Sequence, residues 1–128
     1  MSDSNNIIST VSLENILHDE PLDYSVPLMT DDIEKVIPPL YGQEDKYPNY
    51  KSYVRYIGTI GGLQGWVWYV VEYKKEERVC FGFVQGWEDE FGYFSISEFE
   101  TLNKKYGLPI IQRDVHFKPS SLKKHADF

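Results

Sequence analysis

The chain has 128 residues and 41% hydrophobic content, which suits one folded domain and excludes a globally disordered chain. Its net charge is −7, and its single cysteine, Cys80, excludes an intramolecular disulfide. No apolar run approaches the roughly 20 residues of a membrane helix, and residues 1–16 lack a basic segment followed by a long apolar one. We therefore expect a cytoplasmic protein without a secretion signal or membrane association.

The charges are unevenly distributed along the chain. Residues 1–45 carry one base and ten acids, a net charge of −9, whereas residues 46–128 carry twelve bases and ten acids, a net charge of +2. Phosphate-backbone binding requires a concentrated positive surface, so direct nucleic-acid binding is disfavoured. The acidic segment either confers solubility or forms a surface that meets a basic partner or mimics nucleic acid. The residues of that candidate surface are Asp19, Glu20, Asp23, Asp31, Asp32 and Glu34.

The first 26 residues are predicted to form an acidic appendage outside the domain. Ser12 precedes an i, i+3, i+4 apolar stripe of Leu13, Ile16 and Leu17, which predicts a helix of about two turns. Because so short a helix is unstable alone, we expect it to dock on another surface or to remain partly disordered.

A second short helix is predicted after Thr30, which is a suitable N-cap residue. The residues expected on its buried side are Ile33, Val36 and Ile37. Pro38 disfavours helical geometry at the preceding residue and removes a backbone donor, so it should end the helix. Leu40 and Tyr41 are then expected to insert into the core, before an exposed loop over residues 42–50.

A series of strand-like runs with short charged or glycine-rich connections follows. The predicted strands cover residues 53–60, 66–73, 78–85, 91–94 and 110–117. The second of these is apolar on both faces, with Trp66, Trp68 and Val70 on one side. Such a strand is either central and covered on both faces, or it exposes an aromatic site on one of them.

The last helix is predicted between the fourth and fifth strands. Ser95 and Glu98 have the spacing of a capping box, and Gly107 suits the left-handed residue that ends a helix. Together the elements predict a single α+β domain over residues 27–119, an antiparallel meander of four to five strands with short helices packed at its ends. We expect residues 120–128 to form a loose basic tail.

Several short motifs, in their order along the chain, resemble the bacterial family DUF2958. They are Pro38-Pro39-Leu40-Tyr41, Gly65-Trp66-Val67-Trp68-Tyr69, Gly92-Tyr93-Phe94-Ser95, Gly107-Leu108-Pro109-Ile110 with Arg113-Asp114, and Phe117-Lys118-Pro119. The resemblance covers residues 27–119. The family consists of domains of unknown function that are often carried by phages, plasmids and integrative elements, so it implies a genomic setting and no settled activity.

Residues that carry out chemistry are few and scattered. His18, His116 and His125 lie far apart, and we predict no metal site and no cofactor. A cysteine in an apolar strand is most often a small buried hydrophobe. The enzymatic alternative would build a small active site from Cys80, His116 and Asp114, the last two at i, i+2 on one strand.

The aromatic side chains are the feature most open to a functional interpretation. The candidate ligand-binding or partner-binding residues are Trp66, Trp68, Trp87, Tyr69, Tyr93, Arg55 and Arg113. Core packing is the ordinary interpretation of such rings, whereas rings on an uncovered face would anchor a partner. We therefore expect a non-enzymatic accessory protein of a phage or mobile element that binds a host or element-encoded protein, for example to inhibit a host defence or DNA-processing system.

Two further alternatives stay open. In a small-ligand or nucleotide-binding module, the rings would stack a base while Arg55, Arg78 or Arg113 held a phosphate or carboxylate. In a single-strand binder, the same rings would stack successive bases, which the charge disfavours unless the basic tail contributes.

Overall fold

The computed structural model describes residues 26–128. The predicted appendage, with its helix after Ser12 and the acids Asp19, Glu20 and Asp23, lies outside the described residues. The helices of this part are α1 (Asp31–Val36) and α2 (Ile96–Tyr106). Its strands are β1 (Lys51–Ser52), β2 (Val54–Gly58), β3 (Val67–Lys74), β4 (Val79–Gln85), β5 (Asp89–Ser95), β6 (Ile111–Arg113) and β7 (Ser120–Ser121). Short 3-10 turns lie at Glu44–Lys46, Gly61–Leu63 and Leu122–Lys124.

Five strands form an antiparallel sheet in the order β5-β4-β3-β2-β6, and β1 pairs with β7 separately. The predicted α+β meander is confirmed. The last strand of the sheet ends at Arg113 rather than at residue 117, because the chain turns at Asp114. The Asp114 carboxylate accepts a hydrogen bond from the His116 N–H (2.9 Å), and its carbonyl accepts one from the Phe117 N–H (3.2 Å).

One face of the sheet, here called the helix face, packs against α2 and the segment that contains α1. Its core includes Val54, Tyr56, Trp68, Val70, Cys80, Ile96 and Phe99. The predicted helix ends are confirmed, since Ser95 accepts a hydrogen bond from the Glu98 N–H (3.2 Å) and Gly107 has a φ of 64°. Thr30 likewise accepts a hydrogen bond from the Ile33 N–H (3.2 Å).

The predicted burial of Val36 is wrong, because this residue is 55% exposed. Helix α1 ends at Val36, and Ile37 takes an extended conformation (φ −81°, ψ 129°), as expected for a residue that precedes proline. The change of direction brings Ile37 into the core, where it is 7% exposed, and leaves Val36 at the surface.

The opposite face, here called the tail face, is covered by the C-terminal segment. Its core consists of Tyr50, Tyr69, Val71, Phe83, Leu122 and Ala126. Leu122 is fully buried, and its N–H donates a hydrogen bond to the Tyr50 carbonyl (2.9 Å). The prediction of a loose tail is therefore wrong, because Leu122 and Ala126 complete the core on this face. Strand β3 is central and covered on both sides, which was one of the two alternatives.

The loop after α1 is fixed by two buried polar side chains. Glu72, 4% exposed, accepts hydrogen bonds from the N–H groups of Tyr41 and Gln43 (2.8 Å each). Gln43, 3% exposed, donates to the carbonyls of Lys51 and Val71 (2.9 Å each). Two predictions are corrected by this network: residues 42–50 are not wholly exposed, and Tyr41 does not enter the core. Its backbone is held at a φ of 70°, and its side chain is 67% exposed.

Candidate functional site

The β4–β5 hairpin carries the most exposed tryptophan of the described residues. A three-residue connection, Gly86-Trp87-Glu88, joins the strands, and the Gly86 N–H donates a hydrogen bond to the Glu88 carbonyl (3.3 Å). Trp87 is 91% exposed, and its ring meets the Trp66 ring edge-on with centroids 6.0 Å apart. The indole of Trp87 is therefore presented to solvent at the end of the hairpin.

Trp66 supports the Trp87 ring, because the Trp66 ring itself packs against neighbours on two sides. Its ring lies against the backbone of Gly86, where an added Cβ would stand 2.6 Å from it. On its other side it contacts Trp68 (5.8 Å between centroids), and Trp68 contacts Phe99 in the core (5.0 Å). A continuous aromatic column thus runs from the core to the exposed Trp87. A ring on such a rigid support loses little conformational entropy when it is covered by a partner.

Acidic residues directly follow the exposed ring in the sequence. Glu88, Asp89 and Glu90 follow it directly and are all exposed. Residues 79–103 contain five acids and no lysine or arginine, and the preceding Arg78 pairs with Glu100 (2.6 Å). We call this surface the acidic tip, and it consists of Trp66, Trp87, Glu88, Asp89 and Glu90.

A second group of exposed rings lies along β5 on the tail face. Tyr41, Tyr47 and Tyr93 are 67%, 59% and 59% exposed. The Tyr93 ring lies 5.3 Å from Phe81, and Tyr47 lies 6.1 Å from Phe91. The neighbouring Tyr41 hydroxyl raises the pKa of Tyr93. We call this surface the aromatic margin, and it consists of Tyr41, Tyr47, Phe91 and Tyr93.

The predicted ring cluster is thus divided between the two faces of the sheet. Trp66, Trp68 and Trp87 lie together on the helix face, where Trp68 is only 5% exposed. Tyr69 and Tyr93 lie on the tail face, and Tyr69 is 4% exposed. Successive strand residues point to opposite faces, so a run such as Trp68-Tyr69 cannot contribute both rings to one platform.

Arg55 is held by its neighbours. Its Nε and Nη2 donate hydrogen bonds to Oδ2 of Asp114 (3.0 and 2.6 Å), and its guanidinium lies 4.9 Å from the centre of the Phe117 ring. Burial alone would raise the pKa of Asp114, but the hydrogen bonds from Arg55 and from the His116 N–H lower it overall. The pair therefore joins β2 to the chain after β6, which is a structural role.

Arg113 lines a surface cleft between α1 and the end of β6. Its Nε donates a hydrogen bond to the Pro27 carbonyl (2.9 Å). The cleft has a volume of about 240 Å³. Its lining includes Asp32, Val36, Tyr53, Arg113, Asp114 and Phe117. It combines one guanidinium with two carboxylates and aromatic walls.

The acids of α1 have different environments. Asp31 and Asp32 are exposed. Glu34 is half-buried and accepts a hydrogen bond from the Tyr73 hydroxyl (2.8 Å). Burial, followed by this bond, raises the pKa of Tyr73. Glu34 therefore anchors the helix to β3, while its two neighbours remain available at the surface.

The structure separates Cys80 from the other two residues of the enzymatic alternative. Cys80 is fully buried on the helix face, and burial raises the pKa of its thiol. His116 is exposed and lies after β6 rather than on a strand, and Asp114 is engaged with Arg55. No hydrogen bond within residues 26–128 joins the three side chains, and no group of three metal-ligating residues occurs in that range.

His125 makes a half-buried contact that the sequence interpretation missed. Its ring stacks on Tyr69 (5.6 Å, 21°), and its Nε2 lies 2.8 Å from the Ser120 hydroxyl. Burial, together with the charges of Arg55 and Lys124, lowers the pKa of His125. The apolar spacing of Leu122 and Ala126 was the available signal that this segment packs on the sheet.

Comparisons with known proteins give one match. A model of the family described as "Protein of unknown function (DUF2958)" matches residues 44–127, which supports the resemblance over most of its predicted range. No curated protein and no solved structure matches significantly. Neither helix of the described range has the length and apolar character needed to cross a bilayer.

Proposed function

Because the chain belongs to DUF2958, a family of proteins of unknown function, its role has to be inferred from its surfaces, and we propose that it binds a protein partner. The acidic tip is the contact surface, with the aromatic margin beside it. In this proposal the protein acts by recognition and not as an enzyme.

The single observation that carries the proposal is the exposure of Trp87. An indole that is 91% exposed on a rigid aromatic support contributes nothing comparable to core packing, whereas tryptophan is among the residues that dominate protein interfaces. The acidic residues that follow Trp87 indicate the charge of the partner. A partner with a basic surface would be attracted to Glu88, Asp89 and Glu90 and would associate faster at low salt.

The family resemblance suggests the setting in which this binding operates. We propose an accessory protein of a phage or mobile genetic element that acts in the cytoplasm on a host or element-encoded protein. Inhibition of a host defence or DNA-processing system is one purpose that fits such a setting. The exposed acids of α1, Asp31 and Asp32, would extend the attraction toward a basic partner.

The test is capture of a partner from bacterial lysate, followed by affinity measurements with the purified partner. Trp87→Ala should weaken binding by about 30-fold, equivalent to ~2 kcal/mol for an aromatic anchor. Glu88→Gln with Asp89→Asn and Glu90→Gln should slow association and flatten its salt dependence. Tyr106→Ala is the matched control, because this ring is 56% exposed on α2 and lies outside both surfaces. Recovery of no partner at any salt, or equal affinity of all variants, would overturn the proposal.

A second candidate function, binding of a small ligand, is favoured by the Arg113 cleft alone. Asp32 and Asp114 lie beside Arg113, so an isolated phosphate group is disfavoured and a zwitterion such as an amino acid fits the charges better. A thermal-shift screen over amino acids and nucleotides tests it. Stabilisation at micromolar amino acid, lost in Arg113→Gln, would support the cleft, and no shift with either class would remove it.

A further inference from the structure

We propose that the open edge of β5 accepts an extended segment of the partner as an additional strand, in which basic residues alternate with apolar ones. This inference rests on the proposed function, since it specifies the kind of partner that the acidic tip and the aromatic margin bind. Strand addition is a recurrent mode of peptide recognition, in which backbone hydrogen bonds supply affinity and alternate side chains supply specificity.

Among residues 26–128, the backbone of β5 has one unpaired side. Within that part of the chain, β5 is the end of the sheet and pairs only with β4, in a register that places Gly82 opposite Gly92. At the two ends of this ladder the Ile96 N–H donates to the Arg78 carbonyl (3.0 Å) and the Gly86 N–H donates to the Glu88 carbonyl (3.3 Å). In an antiparallel pair, hydrogen-bonded positions alternate.

It follows that Glu90, Gly92 and Phe94 direct their backbone groups toward β4. Asp89, Phe91 and Tyr93 therefore direct their N–H and C=O groups toward the open edge. Within residues 26–128, no backbone hydrogen bond outside the β4 ladder reaches these three residues. The edge thus presents a continuous set of donors and acceptors with the spacing of a strand.

The edge also lacks two of the features that usually prevent such pairing. It is seven residues long and contains neither proline nor lysine, which are common devices for blocking exposed edges. The opposite edge of the sheet, β6, has only three residues. The charged residues of β5 are Asp89 and Glu90, so the edge repels acidic segments, including copies of this chain with a net charge of −7, and favours basic ones.

The two faces of β5 define the side chains that an added strand should carry. On the helix face, Glu90 precedes Gly92, where an added Cβ would meet nothing within 4 Å, so there is room for a long basic side chain beside a carboxylate. On the tail face, Phe91 and Tyr93 offer aromatic surface. Because side chains alternate along a strand and contact neighbours on the same face, the fitting segment alternates lysine or arginine with apolar residues.

Synthetic peptides test the occupant directly. The probe is a seven-residue peptide, capped at both ends, in which lysine alternates with valine and tyrosine. We expect it to bind the full chain and to slow amide hydrogen exchange at Asp89, Phe91 and Tyr93 by at least about tenfold. The matched glutamate peptide should not bind, and the lysine peptide methylated on alternate backbone nitrogens should lose its binding. Equal binding of the methylated peptide would mean that side chains dock without strand addition, and would overturn the inference.

Two substitutions at one position separate backbone from side-chain effects. Tyr93→Pro removes an outward N–H but no bond to β4, and proline is tolerated at such edge positions. Tyr93→Thr removes the ring and keeps the N–H. Peptide binding should be lost in the first variant and only weakened in the second, and equal binding would overturn the inference. The methylated peptide gives the same answer with the unaltered protein if the proline variant does not fold.

The outcomes also separate this inference from the proposed function. If Trp87→Ala weakens binding of the captured partner while Tyr93→Pro does not, partner binding stands and strand addition is overturned. If neither substitution has an effect, the proposed function fails as well. A concentration-dependent dimer whose Asp89, Phe91 and Tyr93 amides are protected without peptide would identify a second copy as the occupant and overturn the choice of a basic segment.

Discussion

The indole of Trp66 lies directly on the backbone of Gly86, and a Cβ at that position would stand 2.6 to 2.7 Å from three ring atoms. The contact couples β3 to the β4–β5 connection and sets the direction of the exposed Trp87. The lack of a side chain at residue 86 is therefore required by packing, even though its backbone φ is not in the left-handed region.

Gly86→Ala should consequently displace Trp66. We expect a loss in the free energy of unfolding of ~1–3 kcal/mol, the usual cost of overpacking, together with weaker partner binding because Trp87 loses its support. Urea denaturation measures the first effect. Gly92→Ala is the matched control, since an added Cβ there meets nothing within 4 Å, and a similar loss in both variants would contradict the assignment.

The buried carboxylate of Glu72 leads to a second prediction. Glu72→Ala leaves the N–H groups of Tyr41 and Gln43 without their acceptor, at a cost of ~1–3 kcal/mol for each buried group that stays unsatisfied. Glu72→Gln retains one acceptor oxygen, so its free energy of unfolding should lie between those of the wild type and Glu72→Ala. The free energy of unfolding of each variant gives the comparison. Glu76→Ala is the control, because Glu76 lies in the exposed β3–β4 turn, and it should change the free energy of unfolding by no more than ~0.5 kcal/mol. An equal effect of Glu72→Ala and Glu76→Ala would show that the hydrogen bonds to Glu72 do not stabilise the loop.

The sheet could be predicted because its signals are local. The run of aromatic and β-branched residues over 66–73 and the turn residues around Lys74–Glu77 specify strands and a hairpin without knowledge of the partners. The ends of α2 follow equally from Ser95 and Gly107. The position of Gln43 and the exposure of Tyr41 could not be predicted, because both depend on Glu72, about thirty residues away in the sequence.

The C-terminal segment illustrates the same limit and gives a third prediction. Its lysines suggested a solvated tail, but Leu122 is fully buried against Tyr50 and its neighbours. Leu122→Ala should destabilise the protein by ~2–5 kcal/mol, as expected for a buried leucine. Lys123→Ala, at an exposed neighbouring position, is the control, and denaturation midpoints that agree between the two variants would restore the idea of a loose tail.

The candidate surface was only partly predictable for a related reason. Sequence identifies the aromatic residues, but burial decides which of them are available, and burial depends on what covers each face. Trp68 is covered by α2 and Tyr69 by the C-terminal segment, whereas Trp87 lies in the β4–β5 connection and is covered by neither. Glu88 lies in the β4–β5 connection, and Asp89 and Glu90 begin β5, so three carboxylates directly follow the exposed ring.

The partial burial of His125 predicts a pH dependence of stability. Its pKa is lowered in the folded state from an ordinary value of 6.5, first by burial and then by the positive charges of Arg55 and Lys124. The unfolded chain therefore binds a proton at a higher pH than the folded chain does, so stability falls as the pH drops below about 6.5. Above that pH the group is neutral in both states and contributes no dependence.

The titration of Asp114 affects stability at a lower pH than that of His125, so the two effects can be measured separately. Its pKa is lowered from 3.8, so the stability that it contributes is lost only as the pH falls below about 4. Unfolding free energies measured from pH 7.5 to 5 should decrease for the wild type, and His125→Gln should reduce the slope in that window while leaving the acidic limb unchanged. Arg55→Gln should weaken the acidic limb, because Asp114 then loses the guanidinium that lowers its pKa. It should also reduce the slope between pH 7.5 and 5, because the Arg55 charge contributes to the lowered pKa of His125. An unchanged slope in His125→Gln would mean that the stacked imidazole takes up its proton as readily in the folded chain as in the unfolded one.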